Sequence, residues 1–377
     1  MGKKTVFFSL LMLFACSERS PKDSQKENQI LLKVGKEAEV SQLFKEYFEL
    51  ENIIHIQTTD EFLMADGIER VLFYKDKLVI LDTQSAIWVI DYVTGKVDSY
   101  INRTGQGPGE SMHIIDICLD EQTETIIAFN DYKNLLFFDL KGNFIRQEKC
   151  KKLYENVIYD NGSVLFYNPG VGYSCYPYHI EKFNLQEKTW DIIGKEKKLD
   201  FPMRLYGKHI IKSKRIWFGT PLDFDLNLFY NLKIESKYKL DPATVPLTKD
   251  EMKLATTDYD KFSAVRKTKI YGIGAIRETA HYLIFRSSKP GFFILNKDTN
   301  EIHWEDFVNE SSLGIKLVNY FPHDGDDNRI MFLVYPVEWL NRKKNENDNI
   351  SIAMRKIIDS IKVEEDSNPI LVLYREK

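Results

Sequence analysis

A polar residue closes a short apolar run again and again along this chain, about 48 residues apart. Leu81-Asp82 is followed by Ile87-Trp88-Val89-Ile90-Asp91 and a turn at Gly95. Phe129-Asn130 is followed, 48 residues on, by Leu135-Leu136-Phe137-Phe138-Asp139 and a turn at Gly142. The strand-end residue then continues to Asn184, Asn231 and Asn296, at gaps of 45, 47 and 65. The runs are rich in Ile, Val, Phe, Tyr and Leu and are bounded by Asp, Asn, Gly and Lys, which is strand punctuation. A repeat of this length, holding about four short strands, predicts a β-propeller rather than a solenoid.

The repeat sets the domain plan. The expected fold is all-β, a six-bladed β-propeller of four-stranded antiparallel blades over residues 37–377, with blade starts near 67, 112, 154, 203, 270 and 315. Two helical insertions interrupt it. Thr248-Lys249-Asp250-Glu251 carries the chemistry of a helix start and opens an insertion over 248–267, which explains the long gap. A second insertion covers 337–366, where Ile350, Met354, Ile357, Ile358 and Ile361 share one helical face. The chain returns at 370–374 as the third strand of the last blade. Residues 52–57 (Asn-Ile-Ile-His-Ile-Gln) form a strand with no neighbour in sequence, and they are expected to close blade six beside 370–374. A short helix from Val40 to Phe48, capped by Ser41, would lie against the ring.

Composition narrows the function. Lys and Arg number 52 against 56 Asp and Glu, a formal charge of −4 with no long basic run, so nucleic acid is not an expected partner. The first fifteen residues carry Lys3-Lys4, an apolar stretch from Val6 to Phe14 too short to span a bilayer, and Ala15 before Cys16, the plan of an export signal. Leu13-Phe14-Ala15-Cys16 resembles the bacterial lipobox, with Phe14 where a small residue is usual. On that resemblance residues 1–15 are a lipoprotein signal peptide, Cys16 is the lipidated residue, and the membrane is a partner through the lipid anchor. Residues 16–36 read as a flexible tether. Three cysteines remain, Cys118, Cys150 and Cys175; one disulfide or three thiols would both satisfy the spacing, and Cys118 in its apolar run reads as a buried, inert thiol.

Arg103-Thr104-Gly105-Gln106-Gly107-Pro108-Gly109-Glu110 lacks the Lys-Ser or Lys-Thr and the following helix of a phosphate loop. Its glycines are expected to allow positive φ on the crossover from blade one to blade two. This Gly-x-Gly-Pro-Gly-Glu motif, together with Thr58-Thr59-Asp60-Glu61 and the terminal Asn368-Pro369-Ile370-Leu371-Val372-Leu373-Tyr374, resembles the six-bladed β-propeller lipoproteins of Gram-negative bacteria described as TolB-like or NHL-like. The resemblance covers nearly all of the mature chain and implies a location in the cell envelope, on the periplasmic side or at the surface of the outer membrane. It implies no particular reaction.

The chemistry is sparse. Seven histidines are scattered without His-x-x-x-His spacing. Some NHL-type relatives are metal-dependent lyases that gather histidines from several blades, so the resemblance leaves open a metal-dependent lyase- or hydrolase-like enzyme at the central channel, with His113 and His323 the pair to follow. His323-Asp324-Gly325-Asp326-Asp327-Asn328 is oxygen-rich but lacks the spacing of a calcium loop and reads as a hairpin turn. No cofactor, metal site or catalytic residue is expected. Tyr167, Tyr173, Tyr176 and Tyr178 lie in one Gly- and Pro-containing loop and form the candidate ligand face, since tyrosines offer contact area at low entropy cost. The expected function is a non-catalytic binding or assembly module for a protein or glycan partner.

Overall fold

A computed structural model describes residues 30–32, 43–64, 67–168, 179–193, 210–219, 225–230, 233–240, 248–266, 272–287, 291–306, 308–310, 313, 315–325, 328–344 and 351–377. The chain forms a six-bladed propeller. After β1 (Ile30–Leu32), α1 (Phe44–Tyr47) and β2 (Phe48–His55), blade one holds β3 (Ile68–Tyr74), β4 (Lys77–Asp82), β5 (Ile87–Asp91) and β6 (Val97–Ile101). Blade two holds β7 (Ile114–Asp120), β8 (Thr125–Asn130), β9 (Asn134–Asp139) and β10 (Phe144–Lys149). Blade three holds β11 (Asn156–Asp160), β12 (Ser163–Asn168), β13 (His179–Asn184) and β14 (Trp190–Ile193). Blade four holds β15 (Ile210–Lys212), β16 (Ile216–Gly219), β17 (Asp225–Tyr230) and β18 (Lys233–Leu240), and is followed by α2 (Lys249–Thr257) and α3 (Tyr259–Arg266). Blade five holds β19 (Gly274–Glu278), β20 (Tyr282–Arg286), β21 (Phe292–Asn296) and β22 (Ile302–Glu305). A hairpin, β23 (Val308–Glu310) and β24 (Ile315–Leu317), leads to blade six: β25 (Tyr320–Phe321), β26 (Arg329–Val334), then α4 (Pro336–Lys344), α5 (Ile352–Ser360) and β27 (Ile370–Glu376).

The apolar runs are continuous because each blade is buried on both faces. In β5, Ile87 and Val89 enter the core between blades one and two, whereas Trp88 and Ile90 enter the core between blades six and one. In β8, Ile126 and Ala128 face blade one, and Ile127 and Phe129 face blade three. Side chains on a strand alternate between its faces, so an unbroken run fills two interfaces at once. The described core is therefore a ring of six interblade clusters.

The repeated polar residue is a turn device. Asp91 Oδ1 accepts from the amides of Val93 and Thr94, Asp139 Oδ1 from Lys141 and Asn143, Asn184 Oδ1 from Gln186 and Glu187, and Asn296 Oδ1 from Asp298 and Thr299, all at 2.8–3.1 Å. Each side chain stands in for a backbone acceptor and fixes the hairpin from the third strand to the fourth. Asn231 lies outside the described residues.

A ring of sheets is stable only if it closes. The order in blade six is β2-β27-β26-β25, with β2 antiparallel to β27 from Phe48 opposite Glu376 to His55 opposite Ile370. Closure thus joins the two ends of the chain, through a strand that starts earlier than residue 52 and bulges at Glu51. Asn368 fastens it from the side. Its Oδ1 accepts from Met64 N at 2.6 Å, and its Nδ2 donates to Gln57 O at 2.8 Å and Phe62 O at 2.9 Å.

Several local expectations change. Of the helix expected over 40–48, residues 40–42 with the expected cap Ser41 lie outside the described residues; the described part is α1, which ends where Phe48 pairs with Glu376, and the rings of Phe44 and Phe48 stack at 4.8 Å in the core between blades five and six. Residues 30–32, expected in the tether, form β1 as a fifth strand parallel to the edge of β18, with Leu32 buried. The open edge of β18 supplies the hydrogen bonds that a free tether would leave to water. The first insertion is two helices, and α2 carries the capping box of Thr248 and Glu251. In the second, Ile358 is buried, but Ile357 turns to solvent; Ile350 lies outside the described residues.

Replacing Asn368 by Ala removes three hydrogen bonds and leaves the Met64 amide buried without its acceptor. The expected loss is about 2–4 kcal/mol in urea unfolding at unchanged m value, reported by one cooperative transition and not by fraying of the C-terminus.

Candidate functional site

The two ends of the ring differ. Connections from first to second strand and from third to fourth, such as 75–76, 92–96, 121–124, 140–143 and 161–162, are tight turns on one face. The others emerge on the opposite face, and their described residues include 56–64, 102–113, 248–266, 315–319, 335–344 and 351–369, with all of α2 to α5. This loop face also carries exposed apolar side chains: Leu63, Met112, Tyr259, Val318, Val337 and Ile352, the last 79% exposed. Among the described residues, the turn face shows Val93 and Tyr230, and the outer edges show Ile145 and Ile192.

The axis between the faces is filled. Arg70, on the innermost strand of blade one, is fully buried. Its guanidinium grips Asp324 of blade six through Nε at 3.0 Å and through Nη2, reaches the Ile210 carbonyl of blade four at 3.2 Å, and stands 3.7 Å from the Asp116 carboxylate of blade two. Asp324 accepts from Lys212 N at 2.9 Å, and Asp116 accepts from Val157 N of blade three at 2.9 Å. From blade five, the buried Arg277 donates to the carbonyls of Gly325 at 2.6 Å and His323 at 3.3 Å. All six blades are joined by groups meeting at the axis.

Backbone irregularities aim these side chains. The register of β3 shifts between Ile68 and Arg70, that of β7 between Ile114 and Asp116, and that of β19 between Gly274 and Arg277. A bulge re-aims the residue that follows it. Three inner strands thereby turn a charge toward the axis where strict alternation would leave an apolar side chain. The sequence signal was a charge inside an inner apolar strand, Arg70 beside Glu69 in β3 and Asp116 alone in β7, close to one repeat apart.

Asp324 therefore serves the fold, not a calcium loop: Arg70 and the Lys212 amide take up its carboxylate. Burial pushes its carboxyl above the ordinary range, and Arg70 pulls it part of the way back. Cys118, beside it, is buried and its thiol lies well above the usual value for the same reason; desolvation holds the Cys150 thiol at about 12. Both are free thiols, and Cys175 lies outside the described residues.

The remaining expectations divide as follows. Tyr167 is no ligand platform: it is 1% exposed, its ring packs 5.6 Å from Phe218, and its hydroxyl donates to Gly219 O at 3.0 Å, fastening blade three to blade four. The end of β12 points it into the interblade core. Tyr173, Tyr176 and Tyr178 lie outside the described residues, as does Cys16. His113 and His323 are not brought together; His113 Nδ1 pairs with Ser85 Oγ at 2.8 Å, and His323 is buried 6.0 Å from the Phe73 ring. Among the described residues no three His, Cys, Asp or Glu side chains converge as metal ligands. In the glycine loop, Gly109 has φ +76° and a Cβ there would strike the Phe144 ring at 2.6 Å; Gly107 does not adopt positive φ, and its amide donates to Glu110 Oε2 at 2.9 Å.

A family described as "Domain of unknown function (DUF4934)" matches residues 28–375, which spans every blade and the closing strand. The chain belongs to the DUF4934 family. Similar folds are known from two Bacteroides species. A "Putative exported protein" of Bacteroides fragilis NCTC 9343 superposes with a TM-score of 0.74 at 16% identity, covering 92% of this chain and 99% of its own. A member of the duf4221 family from Bacteroides vulgatus ATCC 8482 gives 0.54 at 11% identity, covering 88% and 98%. At these identities the likeness shows the fold alone. No curated protein matches the chain. No helix among the described residues of this DUF4934 chain is long and apolar enough to cross a membrane.

Removing Arg70 leaves two buried carboxylates facing each other. Arg70→Met is expected to cost about 3–5 kcal/mol at pH 7. Without the guanidinium the Asp324 carboxyl rises further, so the folded state holds a proton that the unfolded state releases. Its stability is then favoured at low pH and lost as pH rises through that value. Urea unfolding should show a smaller deficit at pH 5 than at pH 7.

Proposed function

We propose that this DUF4934 protein is an exported, lipid-anchored propeller of the cell envelope that binds a protein or glycan partner on its loop face without catalysing a reaction. The observation that carries the reading is the concentration of exposed apolar side chains in the long connections of that face. Apolar side chains gathered on one face mark a binding surface when they form a contiguous patch. The ring is a rigid support, and connections on rigid supports are where propellers place recognition. The basic, short apolar N-terminal segment ending in Ala15-Cys16 supports export and acylation, and the name of the Bacteroides fragilis neighbour, a "Putative exported protein", supports export. The TolB-like or NHL-like relationship belongs to the same reading.

The metal-enzyme alternative needs an accessible axis lined by ligands. Here the axis is occupied by Arg70 and Asp324, and His113 lies with Ser85 away from His323.

A photo-crosslinking residue placed at Ile352 or Met112 of the full chain in intact cells should give a discrete adduct, and one at Val93 should not. The same adduct from both faces, or from neither, would contradict the assignment. Cys16→Ser should in addition move the protein from the membrane fraction into unprocessed precursor or soluble material.

A further inference from the structure

We propose that His55, where the closing strand meets Lys343 of α4, is an acid-sensitive latch that holds the α4–α5 insertion on the ring. The latch concerns the fold alone and stands whether or not the loop face has the proposed partner.

His55 ends β2 and lies opposite Ile370 of β27. Ile54 and Ile56 enter the core between blades six and one, so the alternation of the strand turns His55, with Ile53, toward the core between blades five and six. That core is the one the insertion covers, through Trp339 and Leu340 of α4, Ile358 of α5, and Ile361 and Val363 after it. The two helices are tied to each other at the same place: Lys343 Nζ donates to the Ile361 carbonyl at 2.5 Å, just past the end of α5. The imidazole is half-buried, and its buried Nε2 has no hydrogen-bond partner among the described residues.

The surrounding charges decide which form the imidazole takes. Burial, and after it Lys343, push it below its ordinary value, so it is neutral in the docked structure at pH 7. On α4, Glu338 accepts from Tyr335 N and Arg342 donates to Leu313 O. The carboxylate of β27, Glu376, belongs to the far end of β2, opposite Phe48. On the blade-one turn that packs against the His55 carbonyl, Asp91 is engaged with Lys77, and Lys96 is exposed. Lys356, Asp359, Lys362, Glu364, Glu365 and Asp366, of α5 and the connection after it, are exposed. With the insertion lifted, His55 returns to the ordinary value of 6.5. The latch is therefore fully closed above that value and weakens as pH falls through it, because the undocked form then holds a proton that the docked form refuses. Protonation in place would set an imidazolium beside the Lys343 ammonium.

Hydrogen exchange of the full chain at pH 7.5 and pH 5.5, corrected for the intrinsic rate, reads the opening of the insertion directly. The amides of α5 are expected to open about three to ten times more often at pH 5.5, while those of β8, in blade two, change little. His55→Gln, which keeps a polar side chain and cannot titrate, should remove the difference. His281→Gln, at the exposed histidine of the turn face, should leave it. Lys343→Met should open α5 at both pH values, having lost the Ile361 carbonyl, and should reduce the ratio between them. A wild-type ratio of one, a ratio kept by His55→Gln, or an equal change in β8 would overturn the proposal.

Discussion

The Arg70 guanidinium is the group on which the arrangement of this propeller depends. A ring of sheets buries apolar surface only between neighbours, and that attraction has no direction that sets where six blades meet. Arg70 supplies the direction. Its planar fork satisfies Asp324 of blade six, the Ile210 carbonyl of blade four and the field of Asp116 on blade two, while those acceptors hold the amides of Lys212 and Val157. A charge so deeply buried is tolerable only because each partner is itself placed by a strand. The bulges before Arg70, Asp116 and Arg277 are part of that placement.

Much of the architecture was legible because propeller blades repeat their turn chemistry. Asp91, Asp139, Asn184 and Asn296 recur since each hairpin needs a side-chain acceptor at one point, and that need survives where the apolar residues vary. Closure was legible for a different reason: a β-rich strand without a neighbour, and a last blade one strand short. What escaped was whatever depends on which way one side chain turns. Tyr167 sits at a strand end, where composition suggested a loop platform, but the pleat directs it toward Phe218. Arg70 stands beside the exposed Glu69, and nothing in the pattern distinguishes the two; only the register shift at their place in β3 accompanies the inward turn of Arg70. β1 was hidden in polar surroundings because three residues carry no period, and only the open edge of β18 gives them a place.

These facts shape the functional reading. With the axis closed by a structural ion network, the proposed recognition falls to the ends of the ring. The loop face offers area and apolar contacts suited to a macromolecule, and its insertions, α2–α3 and α4–α5, also cover the interblade cores of blades four to six.

The central claim is that the axis is a closed structural joint and not a channel that opens. Native-state hydrogen exchange at the amides of Phe73, Val157, Lys212 and Asp324 tests it most directly, since each donates into the joint or beside it. The account predicts that all four exchange only through global unfolding, with the free energy and denaturant dependence of the whole domain. Exchange of these amides by a lower-energy opening that leaves the strands β4, β8 and β26 protected would contradict it.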